Sequence, residues 1–178
     1  RSFVAKMRKG DAGDPLLRQV LPLASEMLKT PGFSLDPLAE SQANPLAGLI
    51  HKYQGRILLT TVGSCSINCR YCFRRHFPYA DNNPGRAGWD KVMAYIASDS
   101  SIKEVILSGG DPLVANDDYL LSLCQKIAAI SHVTTLRIHS RMPIVLPARI
   151  TDGLVRMLQT LPLSVVLLTH SNHANDID

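Results

Sequence analysis

Apolar and polar positions follow two regimes along this chain, with the change near residue 50. Before it, prolines at 15, 22, 31, 37 and 45 cut the sequence into short pieces. Leu16 to Leu28 can form one helix there, and the rest reads as a wrapping extension. From Arg56 onward the pattern turns regular. Residues 56–62 (Arg-Ile-Leu-Leu-Thr-Thr-Val) predict a strand, and Trp89 to Ser98 an amphipathic helix. A second strand is expected over 104–108 and a helix over 117–130, with Asn116 as its cap. Thr134 to His139 gives the third strand. A third helix begins after Thr151, with Leu154, Val155, Leu158 and Leu161 as its buried stripe, and Ser164 to Thr169 is the fourth strand.

Strands alternating with helices in this way predict a parallel sheet with covering helices, joined by right-handed connections. The apolar runs at 57–59 and 165–168 suit strands buried on both faces. The expected organisation is an N-terminal extension, 1–50, and an α/β core, 51–178. Each predicted strand runs into a cluster of unusual polar residues. The first leads to a cysteine loop and the second to Ser108-Gly109-Gly110-Asp111-Pro112. The third leads to His139-Ser140-Arg141-Met142-Pro143 and the fourth to His170-Ser171-Asn172-His173. All four lie at the C-terminal ends of parallel strands, the edge where such sheets bind ligands.

Composition adds little. The chain has 178 residues, 19% charged and 46% hydrophobic, with a net charge of +4, which fits one ordinary globular domain. Arg70, Arg74, Arg75 and His76 gather beside the cysteines, as either a solvated loop or an anion-binding one. No basic stripe with interleaved aromatics argues for direct nucleic-acid binding. The absence of a secretory segment and of any membrane-length apolar run leads us to expect a reducing, cytoplasmic setting. A fourth strand left exposed is an association hazard and leaves room for a homo-oligomer.

Three of the four cysteines, Cys65, Cys69 and Cys72, are spaced CxxxCxxC. One loop can thus offer thiolates to three irons of a cubane, leaving the fourth iron for a small molecule. Zinc is the alternative, but structural zinc sites close with four ligands, often two CxxC pairs, and no second pair exists. Cys124 lies on the apolar face formed with Leu120, Leu121, Ile127 and Ala128, and reads as core.

With Tyr71 before its last cysteine, the loop resembles that of the radical S-adenosylmethionine (SAM) enzymes. The match narrows over residues 69–79 (Cys-Arg-Tyr-Cys-Phe-Arg-Arg-His-Phe-Pro-Tyr), 107–113, 143–147 and 170–173. Together these resemble the lysine 2,3-aminomutase family. The Arg-Arg-His-Phe-Pro-Tyr stretch, with residues 14–22 upstream, is similar to the branch serving elongation factor P. The resemblance implies a partial (βα) barrel, a [4Fe-4S] cluster, SAM and pyridoxal 5′-phosphate (PLP), and a reducing electron donor. It implies isomerisation of L-lysine to (R)-β-lysine, which a separate lysyl ligase attaches to elongation factor P. A catabolic lysine aminomutase, or a non-catalytic zinc or Fe–S module, are the other readings.

The same resemblance implies roles for individual residues. Cys65, Cys69 and Cys72 would hold the cluster. Tyr71, Ser108, Gly109, Gly110, Asp111, Arg141 and His170 would line the SAM pocket, although Gly-Gly also suits a plain tight turn and a lone histidine is often simply packed. Arg74 matches the arginine that pairs with the substrate carboxylate. Arg56 matches one that binds the PLP phosphate, and equally suits a strand-edge arginine. The family's barrel has six strands, so four mark this chain as the N-terminal part. Its Schiff-base lysine is expected beyond residue 178, because no lysine here stands at a matching position. The fragment alone is expected to be inactive.

Overall fold

In the structure, a computed structural model that describes residues 3–177, one five-stranded sheet organises the chain. Its strands are β1 (Leu49–Tyr53), β2 (Arg56–Val62), β3 (Glu104–Gly109), β4 (Thr135–Ser140) and β5 (Ser164–Thr169), in that spatial order. Strands β2 to β5 are parallel, as the alternating pattern requires, and β1 adds an antiparallel edge. Helices α1 (Gly85–Ser98), α2 (Asp117–Ala128) and α4 (Asp152–Gln159) fill the crossovers, and the short α3 (Met142–Val145) follows β4. The caps expected from sequence form. The Asn116 side chain accepts from the Tyr119 N–H, and that of Thr151 from the Leu154 N–H.

Alternate strand residues build the core. Ile57, Leu59, Val105, Leu107, Leu136 and Ile138 are buried in one cluster with Val92 and Ile96 of α1 and Leu120, Cys124 and Ile127 of α2. Each such side chain contributes about 1.5–3 kcal/mol relative to exposure. Burial pushes the Cys124 thiol up to about 12, as befits an inert core cysteine. The intervening strand positions form the opposite face. There Arg137 Nε donates to Glu104 Oε1 at 2.6 Å, among apolar Leu58, Ile106 and Val166, so that face is mixed where the helix side is apolar.

Four expectations need correction. The hairpin strand β1 escaped the sequence pattern because only Leu49, Ile50 and Tyr53 of its five residues are apolar. It pairs with β2 through the turn at Gln54 and Gly55, where Gly55 supplies a φ of +77°. No single helix spans Leu16 to Leu28. Two short 3₁₀ turns, Leu17–Gln19 and Ala24–Met27, stand there instead. Asp14 Oδ1 captures the Leu16 and Leu17 N–H groups, and Pro22 lacks the donor a continuing helix needs. Strand β5 is not buried on both faces. It is the edge of the sheet, with Leu167 and Leu168 37% and 42% exposed. Finally, Val155 is exposed on α4, whereas Leu154 and Leu161 are buried.

The N-terminal segment is docked by polar contacts. Asp176, buried, accepts from Gln19 Nε2, Ser171 Oγ and the N–H groups of Asn172 and His173. Burial by itself would raise this carboxyl, but those donors outweigh it and hold it below its ordinary value. Asp14 is held low by N–H groups of Arg8, Leu17 and Leu16. Depressed carboxylates contribute stability above their unfolded pKa of about 3.9, and lose it as pH falls through the lower folded value. Acid should therefore loosen the segment only below about pH 4. Side-chain carboxyl NMR titration checks this: midpoints of Asp14 and Asp176 are expected below the ordinary aspartate value of about 3.9, and midpoints above it would contradict the docking.

Candidate cluster-binding site

Backbone of two loops meets first. Past a register shift between Thr60 and Val62, the chains leaving β2 and β3 stay hydrogen-bonded, with Gly110 N–H donating to Val62 O at 2.8 Å and Asp111 N–H to Ser64 O at 2.9 Å. A Cβ on Gly110 would lie 2.2 Å from Ser64 O, so only glycine permits this approach. Gly109 has φ +104°, and its Cβ would meet Val62 O at 2.9 Å. The Gly-Gly pair thus fixes the root of the loop that carries Cys65.

Asp111 continues the same task. Its Oδ1 accepts from Ser140 Oγ (2.7 Å) and Leu113 N–H (3.1 Å), and its Oδ2 from Arg141 N–H (2.8 Å) and Met142 N–H (3.2 Å). With both oxygens engaged, the buried carboxylate ties the β3 loop to the β4 loop. Arg141 then reaches the cysteines. Its Nη1 donates to Cys69 Sγ at 3.0 Å, its Nη2 to Gln19 Oε1, and the guanidinium lies 5.0 Å from the Phe3 ring and 5.8 Å from that of Tyr71. Arg141 Nε is buried and has no hydrogen-bond partner among the described residues.

The cysteine loop is tied down from the N-terminal side as well. Arg70 N–H donates to Gln19 O at 2.7 Å, and Cys72 N–H to Cys69 O at 3.1 Å. The basic cluster is not a solvated run. Glu26 pairs with Arg70 and with Arg75, and Glu40 with Arg74. Tyr71 is 43% exposed, its hydroxyl accepts from Asn172 Nδ2, and its ring lies 5.5 Å from that of His170. His170 Nε2 lies 3.1 Å from Asn172 Oδ1. Cys65 is exposed, yet partial desolvation by the surrounding loop, with negative charge at Asp111, Cys69 and Cys72, pushes its thiol up to about 11.

The structure therefore gathers Cys65, Cys69, Cys72, Tyr71, Ser108, Gly109, Gly110, Asp111, Arg141, His170 and Arg74 around one sheet edge. Arg56 is elsewhere. It starts β2, at the opposite end of the strand, with its guanidinium 5.5 Å from the Tyr53 ring. A cavity of about 570 Å³ opens near the same edge, between Thr60, Gly63, Tyr79, Asn82 and Asn116, and none of the expected site residues lines it. Gln19, Glu26, Glu40 and Asp176 were missed. Each lies in a short 3₁₀ turn outside the regular strand–helix pattern, and nothing local marks its distant partner.

The donor set fits a cluster better than a single ion. Four zinc ligands must converge on one atom, whereas in a cubane each cysteine bonds its own iron. Arg141 supplies a positive neighbour for negatively charged sulfur.

Comparison with known proteins agrees. A family model described as a 4Fe-4S single cluster domain matches residues 54–139, which include all three loop cysteines. The chain is 51% identical over 178 residues to the L-lysine 2,3-aminomutase of Escherichia coli (strain K12), covering 100% of this chain and 52% of that protein. Over all of its residues, the chain is thus similar to about half of a protein named L-lysine 2,3-aminomutase. A Haemophilus influenzae L-lysine 2,3-aminomutase is 47% identical over 176 residues, covering 99% of this chain and 52% of its own length. That of Clostridium subterminale is 39% identical over 176 residues, 98% of this chain and 42% of its own length. The chain spans about half the length of the curated relatives it matches. Among the described residues no helix is long and apolar enough to cross a membrane.

Proposed function

We propose that the protein containing this chain is an iron–sulfur, SAM- and PLP-dependent isomerase that converts L-lysine to (R)-β-lysine. The observation that carries the reading is the convergence of the CxxxCxxC loop and the Ser-Gly-Gly-Asp turn on one edge of a sheet whose sequence follows lysine 2,3-aminomutases throughout. When bound, the cluster and SAM supply a carbon-centred radical, and PLP carries the migrating amino group.

This chain's own residues hold and orient. Cys65, Cys69 and Cys72 would bind the cluster, leaving one iron without a protein ligand. Gly109, Gly110 and Asp111 set the position of the cysteine loop, and Ser108, Tyr71, Arg141 and His170 border the space beside it. Arg74 would bind the substrate carboxylate through its planar N–H groups. Arg56, at the far end of β2, would serve PLP phosphate only in a ligand that extends along the sheet. The product is assigned to elongation factor P because the Arg-Arg-His-Phe-Pro-Tyr stretch at 74–79 resembles that branch. A separate lysyl ligase would then transfer it.

The test is the intact protein, reconstituted anaerobically with iron, sulfide, SAM, PLP and a reductant, and supplied with L-lysine. Formation of (R)-β-lysine, and loss of β-lysyl elongation factor P in cells lacking the gene, are the expected results. Unchanged lysine with the cluster present would overturn the isomerase reading. Isomerisation with elongation factor P unaffected in the mutant cells would favour the catabolic role.

A further inference from the structure

The buried Arg74 already has a carboxylate partner. Its Nε donates to Glu40 Oε2 at 2.7 Å and its Nη2 to Glu40 Oε1 at 2.5 Å, a two-point pair. Its Nη1 donates to Ser108 Oγ at 3.2 Å, and the guanidinium lies 4.6 Å from the Phe73 ring. A guanidinium has five N–H groups. Glu40 and Ser108 take three, leaving one on Nη1 and one on Nη2 without a partner among the described residues.

Glu40 is itself held firmly. The Asp36 carboxylate accepts from Glu40 N–H (2.9 Å), Ser41 N–H (3.0 Å) and Ser41 Oγ (2.6 Å). Ala39, just before it, adopts φ +51°, a left-handed conformation uncommon outside glycine. A surface ion pair would not need such an anchor.

Unsatisfied groups lie close by. Thr60, paired in register with Ser108, has a buried Oγ1 with no partner among the described residues, and the same holds for His139 Nε2. His139 follows Ile138, which pairs with Leu107, so it stands beside Ser108 on the neighbouring strand. Burial, with Arg137 and Arg74 nearby, holds its imidazole below the usual histidine range. Buried polar atoms without partners are rare, and two beside an incompletely used arginine call for a polar ligand.

We propose that Glu40 is a positioning residue: it takes one edge of the Arg74 guanidinium so that the remaining N–H groups, together with His139 Nε2, receive the carboxylate of the amino-acid substrate. The proposal rests on Arg74 as the carboxylate-binding group, and adds what aims it. Glu40 never touches the substrate. It offsets the buried charge and fixes the plane of the fork, on which two-point recognition depends.

The experiment is calorimetric binding to the intact, cofactor-loaded protein, comparing L-lysine with L-lysinamide, which lacks the carboxylate charge. Glu40→Gln should weaken lysine roughly 10- to 100-fold while leaving lysinamide unchanged and iron content intact. Unaltered lysine affinity would overturn the proposal. Equal weakening of both ligands would assign Glu40 a structural role and overturn it too. Should Glu40→Gln fail to fold, Glu40→Asp is read in the same way, since its shorter arm keeps the charge and loses the two-point fit. Lysine binding without turnover in the unaltered protein would sink the isomerase reading and leave this comparison in force. No lysine binding there would overturn both.

Discussion

Replacing Cys65, Cys69 or Cys72 singly with alanine is expected to abolish the cluster. A cubane bound by three thiolates already lacks a fourth protein ligand, and two thiolates leave half its irons unheld. The three are not redundant, since each sits at its own place in the loop. Cys69 lies against Arg141, Cys65 follows the Ser64 carbonyl that Asp111 binds, and Cys72 closes a turn onto Cys69. Cys124→Ala is the internal control. It lies in the core between strands and α2, so it should cost on the order of 1 kcal/mol in packing and leave iron unchanged. Iron and sulfide assays on all four variants separate these outcomes. Equal iron loss in Cys124→Ala would show the ligand assignment to be wrong.

Gly110→Ala is expected to be nearly as damaging, although it removes no ligand. The added methyl would sit 2.2 Å from Ser64 O, 2.7 Å from its C and 2.8 Å from its N. All three are backbone atoms, so no side chain can rotate away. The Gly110 and Asp111 N–H groups hold that backbone from the other side. Relief requires the root of the cysteine loop to move, at a cost at or beyond the roughly 1–3 kcal/mol usual for overpacking. A lower melting temperature with depleted iron is the expected result. Gly153→Ala makes the contrast, because it stands in α4 with ordinary backbone and only Thr151 Oγ1 at 3.6 Å. It should be neutral or stabilising, by up to about 1 kcal/mol. Wild-type iron and stability in Gly110→Ala would refute the close packing of these loops.

Much of this arrangement was legible because it is local and periodic. Strands β2 and β5 fall where their apolar runs stand, and the caps Asn116 and Thr151 act where they stand. The cysteine spacing declares its chemistry within eight residues. What was not legible is long-range. Gln19 bridges Arg141, Arg70 and Asp176, and Glu40 meets Arg74 across 34 positions. Such pairs leave no periodic trace. Asp111 stands out in the sequence beside Gly109 and Gly110, but nothing there shows that four donors, from its own loop and from the end of β4 and its loop, consume its side chain. Burial of β5 was misjudged for a related reason. An apolar run reports what a strand can tolerate, and its neighbours decide what covers it.

The central claim is that one loop of three cysteines, rooted by Gly109, Gly110 and Asp111, holds a cubane with one iron open to a small molecule. Mössbauer spectroscopy of the anaerobically purified, iron-57-labelled intact protein tests it most directly. The expected result is a [4Fe-4S] spectrum in which a single iron site changes when SAM is added. A colourless protein with stoichiometric zinc, or a cluster whose four irons are indifferent to SAM, would contradict it.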